Sequence, residues 1–483
     1  MSERETRREF LKQAAVAGAI AAAGCQNGKT EESKHQSKLP ATRPATMPTA
    51  MNKLNVAGIG VMGKGESDLG GISKSPNVNI VALCDTDDGS LAKAKAKYPG
   101  AKTYNDFRKM LEEQKDIDAV TVSTPDHMHA PAAMMAIKLG KHVYVQKPLT
   151  HTVEEARKLT LAAREYKVAS AMGNQGHSGE GWRVLCEYIW NGAIGDVTEV
   201  HCWTNRPIWP QGLDKPEGED PVPPTLHWDE WLGPAKYRPY KMNHVVEKDK
   251  DGKPILDENG KEKIKLERLY QPFVWRGWWD FGCGALGDMA CHIMDGAYWA
   301  LRLGYPTRVE LVDSSELKPD SPPKWSILKY HFPARGAMPP CTVTWYDGGK
   351  KPERPEELEP DRKLAEGDNG SLFIGSKGKM MANTYGGGVR IIPEAKHQAT
   401  PKPPQMIPRI KDHHLEWVEA CRGGTPHSGN FDYAGPFSEV VLLGNLTLRV
   451  GKSIDWDGPA MKVTNVPEAN QYVRKEYRKG WEV

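Results

Sequence analysis

The segment Gly58-Ile59-Gly60-Val61-Met62-Gly63 constrains the fold of this chain more than any other. Leu54 to Ile59 reads as a buried strand running straight into this G-x-G-x-x-G turn, and the residues after it read as a helix. A second apolar run, "NIVALCD", places Asp85 22 residues past Gly63, the acidic position expected at the end of a second strand. The physical requirements agree. Glycines let the backbone approach a pyrophosphate, a helix N-terminus faces it, and a carboxylate accepts from ribose hydroxyls. Gly58, Gly60, Val61, Met62, Gly63 and Asp85 are therefore candidate dinucleotide contacts. Asp85 is followed by Thr86, Asp87 and Asp88, with no arginine to hold a 2′-phosphate, which favours NAD over NADP.

The alternation of apolar runs and helical patterns continues downstream. Asp106 to Gln114 reads as a helix, "DAVTVSTP" (118–125) as a strand, and 129–140 as a helix closed by Gly140. "HVYVQKP" is then a strand that must stop at Pro148, which leaves Lys147 at the carboxyl edge where open α/β sheets bind ligands. Thr152 to Tyr166 is a helix opened by a capping box, Thr152 with Glu155, and "KVASAMGNQ" is a sixth strand. Strands alternating with helices at this pitch predict a doubly wound parallel sheet, a Rossmann domain over 52–173, followed by a second domain over 174–483.

A chain of 483 residues exceeds a single small core. The formal charge of +3 lies in residues 1–50, so the body is neutral and offers no electrostatic case for nucleic acid or an anionic membrane. The eight cysteines contain no CxxC pair and no zinc spacing, and read mostly as small apolar core residues. In residues 1–25, Arg7-Arg8 with Phe10, Leu11 and Lys12 precedes an alanine-rich run too short to span a bilayer. This pattern resembles a twin-arginine export signal. "AAGC", ending at Cys25, resembles a lipobox with Ala22 where leucine is more usual. Residues 26–51 are too polar to bury a core and read as a flexible spacer. An exported, periplasmic protein follows, with membrane contact only through lipidation of Cys25.

"AGIGVMG", "STPDHMHA", "LGKHVYVQKPL" and a later "GALGDMACH" together resemble the glucose–fructose oxidoreductase and inositol dehydrogenase (Gfo/Idh/MocA) family across most of 52–483. The resemblance implies that Lys147 reaches both nicotinamide and substrate hydroxyl, with Gln146 standing where the family has glutamate. It places Thr124, Pro125 and His129 beside the nicotinamide half of the cofactor, and Asp288 and His292 as the catalytic pair of the second domain. That domain is then expected to be a mostly antiparallel open sheet with flanking helices, so the whole is α/β plus α+β. The sheet's outer face commonly builds a dimer, so a homo-oligomer is expected. By spacing alone, Asp288, His292 and Asp295 share one helical face. His292 is the candidate general base, Asp288 its orienter or a ligand to a substrate hydroxyl, and Lys147 the stabiliser of a developing alkoxide. No metal site is expected, because His127 and His129 lack companions at ligand spacing.

Gln175 and His177, in "GNQGHS" after the sixth strand, are candidate substrate contacts. Ten of the fifteen tryptophans lie between Trp182 and Trp299, and Trp209, Trp275, Trp278 and Trp279 are candidates to stack on a sugar ring. Residues 248–268 read as a solvated hairpin and 348–370 as a polar surface excursion. After them, "SLFIGSKGKMMANTYGGGVRIIP" alternates like meander strands and "YAGPFSEVVLLGNLTLRVG" reads as an amphipathic helix. The function expected is an NAD-dependent oxidoreductase acting on CH–OH groups of a sugar, sugar derivative or glycoside. A glycosidase working through transient sugar oxidation is one alternative, and a non-catalytic sugar-binding lipoprotein is another.

Overall fold

The computed structural model describes residues 53–483. The residues read as an export signal, Cys25 and the expected spacer lie outside these residues. Among the described residues no helix is long and apolar enough to cross a membrane.

Six parallel strands form the first sheet: β1 (Leu54–Ile59), β2 (Val78–Cys84), β3 (Lys102–Tyr104), β4 (Ala119–Val122), β5 (His142–Val145) and β6 (Ser170–Met172). Their order, β3-β2-β1-β4-β5-β6, reverses direction beside β1, so the β1 and β4 carboxyl ends open onto the crevice where such sheets bind ligands. The crossover helices are α1 (Lys64–Ile72), α2 (Asp88–Lys97), α3 (Phe107–Glu113), α4 (His129–Lys138) and α5 (Val153–Glu165). The capping box at α5 forms as its sequence demands, with Thr152 and Glu155 each satisfying the other's backbone N–H.

The rest of the chain supplies short helices α6 (Gln175–Ser178) and α8 (Trp228–Leu232), and longer α7 (Glu180–Trp190), α9 (Gly284–Ile293), α10 (Asp295–Ala300), α11 (Glu394–Ala399), α12 (His413–Cys421) and α13 (Phe431–Val450). A nine-stranded sheet joins β7 (Val197–Trp203), β10 (Arg308–Ser314), β11 (Ser326–Phe332), β12 (Cys341–Tyr346), β13 (Gly370–Gly375), β14 (Gly378–Ala382), β15 (Arg390–Ile392), β16 (Ile454–Asp457) and β17 (Lys462–Val463). All its pairings are antiparallel except β7 with β12. The hairpin expected over 248–268 begins earlier in the chain: β8 (Met242–Val246) pairs with β9 (Ile264–Arg268), apart from both sheets, and the charged residues between them form its outer end.

Two elements differ from the sequence reading. α13 is buried nearly all round, because it lies between α5, α9 and the second sheet instead of capping one face. Asp295 does not extend the helix of His292: the helix is interrupted at Met294, and Asp295 opens α10. Meanwhile α12 crosses back to the first sheet, where Trp417 and Val418 pack on Leu54, Val56 and Tyr144. The seven described cysteines are buried and unpaired.

α5 and α13 are clamped by a bidentate ion pair. Arg157 donates from Nε and Nη2 to Glu439 at 2.7 and 2.6 Å, and the Glu439 carboxylate is fully buried. Glu439→Ala should leave a part-buried guanidinium unpaired and cost about 3–5 kcal/mol. A lower urea midpoint at unchanged m-value would show this. A midpoint equal to wild type would mean the clamp is not what holds these helices together.

Candidate active site

The β1–α1 turn has the form that its glycines permit. Gly60 and Gly63 both have positive φ, 77° and 59°. A Cβ at Gly60 would sit 2.6 Å from the Ser123 carbonyl oxygen, so the turn abuts the end of β4. The backbone N–H groups of Met62, Gly63 and Lys64 find no acceptor among the described residues. They are open donors at a helix N-terminus, which fits a dinucleotide's pyrophosphate. Asp85 lies at the end of β2, where it accepts from the N–H groups of Val61 (3.0 Å) and Asp87 (3.1 Å). It thus braces the turn as well as offering lone pairs to a ribose. A segment of the second part of the chain closes over this end. The His227 N–H donates to the Thr86 carbonyl, and the Asp88 N–H donates to that of Thr225.

Asp68, on α1 beneath the turn, is fully buried and receives four donors: Lys64 Nζ (2.6 Å), His414 Nε2 (3.1 Å), Ser123 Oγ (2.9 Å) and Gln146 Nε2 (2.8 Å). Burial alone would raise its pKa, but the His414 and Lys64 contacts outweigh it and hold the carboxyl below its ordinary value. This explains Gln146. A glutamate there would set a second carboxylate against Asp68, whereas the amide donates to it.

Lys147 leaves the end of β5 and crosses to α9, donating to the Asp288 carbonyl at 2.7 Å and to Asp288 Oδ1 at 2.8 Å. Arg276 Nε also donates to Asp288 Oδ1, at 3.0 Å. Burial would push the Asp288 carboxyl up, but Lys147 and Arg276 hold it well below the usual carboxylate range. One turn along α9, His292 is 3 % exposed and its pKa falls to about 3, through burial first and the Lys147 charge second. It is therefore neutral at physiological pH, the state a base requires. The partner of its Nδ1 is the Asn174 amide oxygen at 2.9 Å. Asp288, expected to orient this ring, is instead held by Lys147 and Arg276. The edge of the Tyr385 ring meets His292 at 4.9 Å between centroids, from a glycine-rich loop between β14 and β15.

Other expected contacts lie elsewhere. His129 is fully buried and bridges two loops of the ligand edge, with its ring nitrogens 2.8 Å from the Pro148 carbonyl and 3.0 Å from that of Thr124. As a neutral ring it donates its one N–H to one of these carbonyls, and so shapes the turns at Thr124-Pro125 and Lys147-Pro148. His177 is buried against the Asp295 carboxylate at 3.0 Å and stacked on Trp299, so it is not a surface contact for substrate. Gln175 keeps a buried Oε1 with no hydrogen-bond partner, in accord with a polar contact role.

Trp209, Trp275, Trp278 and Trp279 are all buried, with Trp278 donating to the Leu269 carbonyl and Trp279 in the main core. Trp228, Trp231, Tyr270, Trp275, Trp278 and Phe281 form a separate aromatic core, which accounts for much of the local tryptophan excess. The exposed rings near Asp288 and His292 are Phe273 and Tyr385, about half exposed, with the Arg276 guanidinium 4.8 Å from the Phe273 ring centroid. Residues that the sequence did not single out are thus Asn174, Arg276, Tyr385 and Asp68. Only Asn174 had a signal, its place in the GNQ turn after β6.

Ligand atoms of His413, Glu416 and His427 lie within 4.8 Å of one another. Hydrogen bonds account for this grouping. His427 Nδ1 accepts from the Gly429 N–H, so the proton is on Nε2, which faces Glu416 Oε2 at 3.2 Å. In that tautomer His427 has no lone pair for a metal.

Family models match two stretches: residues 53–174 with "Oxidoreductase family, NAD-binding Rossmann fold", and 259–483 with "Oxidoreductase family, C-terminal alpha/beta domain". Together these cover well over half the chain. An alpha-N-acetylgalactosaminidase from Shewanella oneidensis is 30% identical over 203 residues, 40% of this chain and 44% of that protein. The chain thus matches under half the length of this curated relative. Among solved structures, the WlbA dehydrogenase from Bordetella pertussis with NADH and UDP-GlcNAcA has a TM-score of 0.54 at 17% identity, covering 84% of this chain and 99% of that one. An aldose-aldose oxidoreductase from Caulobacter crescentus has a TM-score of 0.53 at 15% identity, covering 84% and 100%. Both share the fold.

The buried histidines should make the protein acid-labile. The His129 pKa lies at about 4 against an ordinary 6.5, so the unfolded chain binds a proton that the folded chain refuses between those values. Its stabilising contribution is complete above about pH 6.5 and falls as pH drops, by up to about 1.4 kcal/mol per pH unit. His127 (about 3), His292 (about 3) and His427 (about 4) act alike. Asp126 and Asp347, raised to about 7 mainly by burial, act in the opposite sense but are fewer. Unfolding free energy measured from pH 7 to pH 4 should therefore decline, and His129→Gln should flatten the slope by about one proton. A flat wild-type profile would contradict this.

Proposed function

The chain belongs to the Gfo/Idh/MocA oxidoreductase family, with an NAD-binding Rossmann domain, and on that premise we propose that it transfers hydride between a CH–OH carbon of a sugar, sugar derivative or glycoside and NAD. The observation that carries this reading is the convergence of Lys147, Asp288 and a neutral His292 beside a turn fitted to a dinucleotide. Bound NAD would supply the hydride acceptor, held by Gly60 to Lys64 and Asp85. His292 takes the proton of the substrate hydroxyl as the carbon–hydrogen bond is lost. The Lys147 ammonium, fixed by Asp288, stabilises the alkoxide that develops on that oxygen. In the reverse direction His292 returns the proton to the carbonyl oxygen.

A second reading is favoured by the 30% identity to an alpha-N-acetylgalactosaminidase. In it, oxidation is transient, an aglycone is eliminated, water adds at the carbon it left, and the sugar is reduced again by the same bound nucleotide. Free aglycone with no net change in bound nucleotide would select this reading, and accumulated keto-sugar the first.

His292→Ala should keep bound nucleotide and lose turnover by about 10²–10⁴-fold. Lys147→Met should lose turnover comparably, since a preorganised cation is removed from a developing oxyanion. Near wild-type rates in both variants would refute the assignment.

The twin-arginine motif of residues 7–12 supports export of the folded protein, into a space where free dinucleotide is scarce. The 225–227 segment closing over the adenosine end favours a cofactor bound before export and reset in place by a second carbonyl substrate. Such retention requires a dissociation constant well below micromolar, about −10 kcal/mol or better. Protein purified without added nucleotide should release close to one equivalent of NAD on denaturation. Empty protein that turns over only with exchanging NAD would defeat this reading.

A further inference from the structure

The orientation of one buried amide decides which nitrogen of His292 can act. Asn174 lies just past the end of β6, 1 % exposed, and its side chain makes three hydrogen bonds. Its Nδ2 donates to the Cys291 carbonyl oxygen at 2.7 Å and to Asp295 Oδ2 at 3.2 Å. A peptide carbonyl has no proton to give. Asp295 is already an acceptor for the Tyr433 hydroxyl at 2.6 Å and faces His177 Nδ1 at 3.0 Å. Turning the amide over would set its oxygen against both acceptors, so the amino group must point towards them. The oxygen is then the atom 2.9 Å from His292 Nδ1. An amide oxygen only accepts, so Nδ1 carries the proton, and in a neutral imidazole the lone pair is then on Nε2.

We propose that Asn174 is a positioning residue that locks His292 in the Nδ1–H tautomer and so makes Nε2 the proton acceptor, with Asp295, His177 and Tyr433 holding the amide in place. The proposal rests on the reading of His292 as the base. It separates two tasks that a single carboxylate often combines. Asp288 is spent on Lys147 and Arg276 and makes no hydrogen bond to the histidine. An amide accepts from the ring without drawing a proton to it, so the base stays neutral in a site that already holds an ion pair. When Nε2 takes the substrate proton, the imidazolium keeps its Nδ1–H bond to Asn174 and gains from the Asp288 charge. The Lys147 and Lys64 charges oppose it, and the Tyr385 ring closes the remaining side. The product of proton transfer is therefore short-lived, which suits a base that must release the proton for the next turnover.

The test compares Asn174→Ala, Asn174→Asp and His292→Ala, each checked for bound NAD as evidence of a folded site. A base supplied in the wrong tautomer can cost about 10⁴ in kcat. Alanine leaves both tautomers accessible, so Asn174→Ala should lower kcat by about 10–100-fold within that bound, with KM nearly unchanged. Aspartate still accepts from Nδ1–H but adds a charge, so in Asn174→Asp the acidic limb of the kcat/KM pH profile should move up by about 1–3 units. If Asn174→Asp does not fold beside Asp295, the kcat-against-KM split of Asn174→Ala decides. Wild-type kcat and an unmoved acidic limb in the Asn174 variants, with His292→Ala inactive, would overturn the proposal and leave the base in place. Full activity of His292→Ala would instead remove the base itself, and the proposal with it.

Discussion

The ion pair between Lys147 and Asp288 joins the ligand edge of the parallel sheet to the helix that carries His292. Each partner is 13 % exposed in its side chain, so either one alone would be a largely desolvated charge. Pro148 forces β5 to stop where the lysine can leave the sheet, and the approach to α9 brings the carboxylate to meet it. With Arg276 on the same carboxylate, two cations share one anion, and His292 is neutral. Lys147 thus keeps a cation at the site of the proposed alkoxide, with the Asp126 carboxyl also within electrostatic reach of Lys147 and Arg276. His292 and Lys147, the base and the cation of the proposed reaction, are held on one helix and one strand end, which fixes their separation.

The carboxylates around the site are distributed so that none faces another unpaired. Asp68 takes its donors from α1, β4, β5 and α12, and so pins the glycine turn to both parts of the chain. Asp295 gathers Asn174, His177 and Tyr433 behind the histidine. Gln146 and Asn174 are the amide members of these two clusters, and each presents the one polarity its neighbour needs. Charge would be a fault at either position. At 146 it would repel Asp68, and at 174 it would raise the basicity of His292 and slow release of its proton.

Much of the first domain was legible because strand, turn and helix signals lie next to one another in sequence. β1, the glycine turn, Asp85 and the capping box of α5 each follow from local spacing. β3 and α2 escaped notice because three short, half-exposed residues and a lysine-alanine helix carry little apolar periodicity. In the site, Lys147, Asp288 and His292 were legible from motifs. Arg276 and Tyr385 were not, because each acts through a contact between residues distant in sequence that no local pattern encodes, and Asn174 offered only its place in the GNQ turn after β6. Tryptophan content was misleading for a related reason: composition reports how many rings there are, and only packing tells which are exposed. The exposed rings beside Asp288 and His292 are Phe273 and Tyr385, while Trp275 and Trp278 fill a separate aromatic core and Trp279 lies in the main one.

The central claim is that a hydrogen leaves a sugar carbon as hydride and passes to nucleotide on this chain. The most direct measurement uses a sugar that turns over, deuterated at the oxidised carbon, with mass spectrometry of the nucleotide released from the protein. Deuterium in the nicotinamide ring after a single turnover is the expected result. Product formed with its deuterium lost to water, and none in the nucleotide, would contradict it.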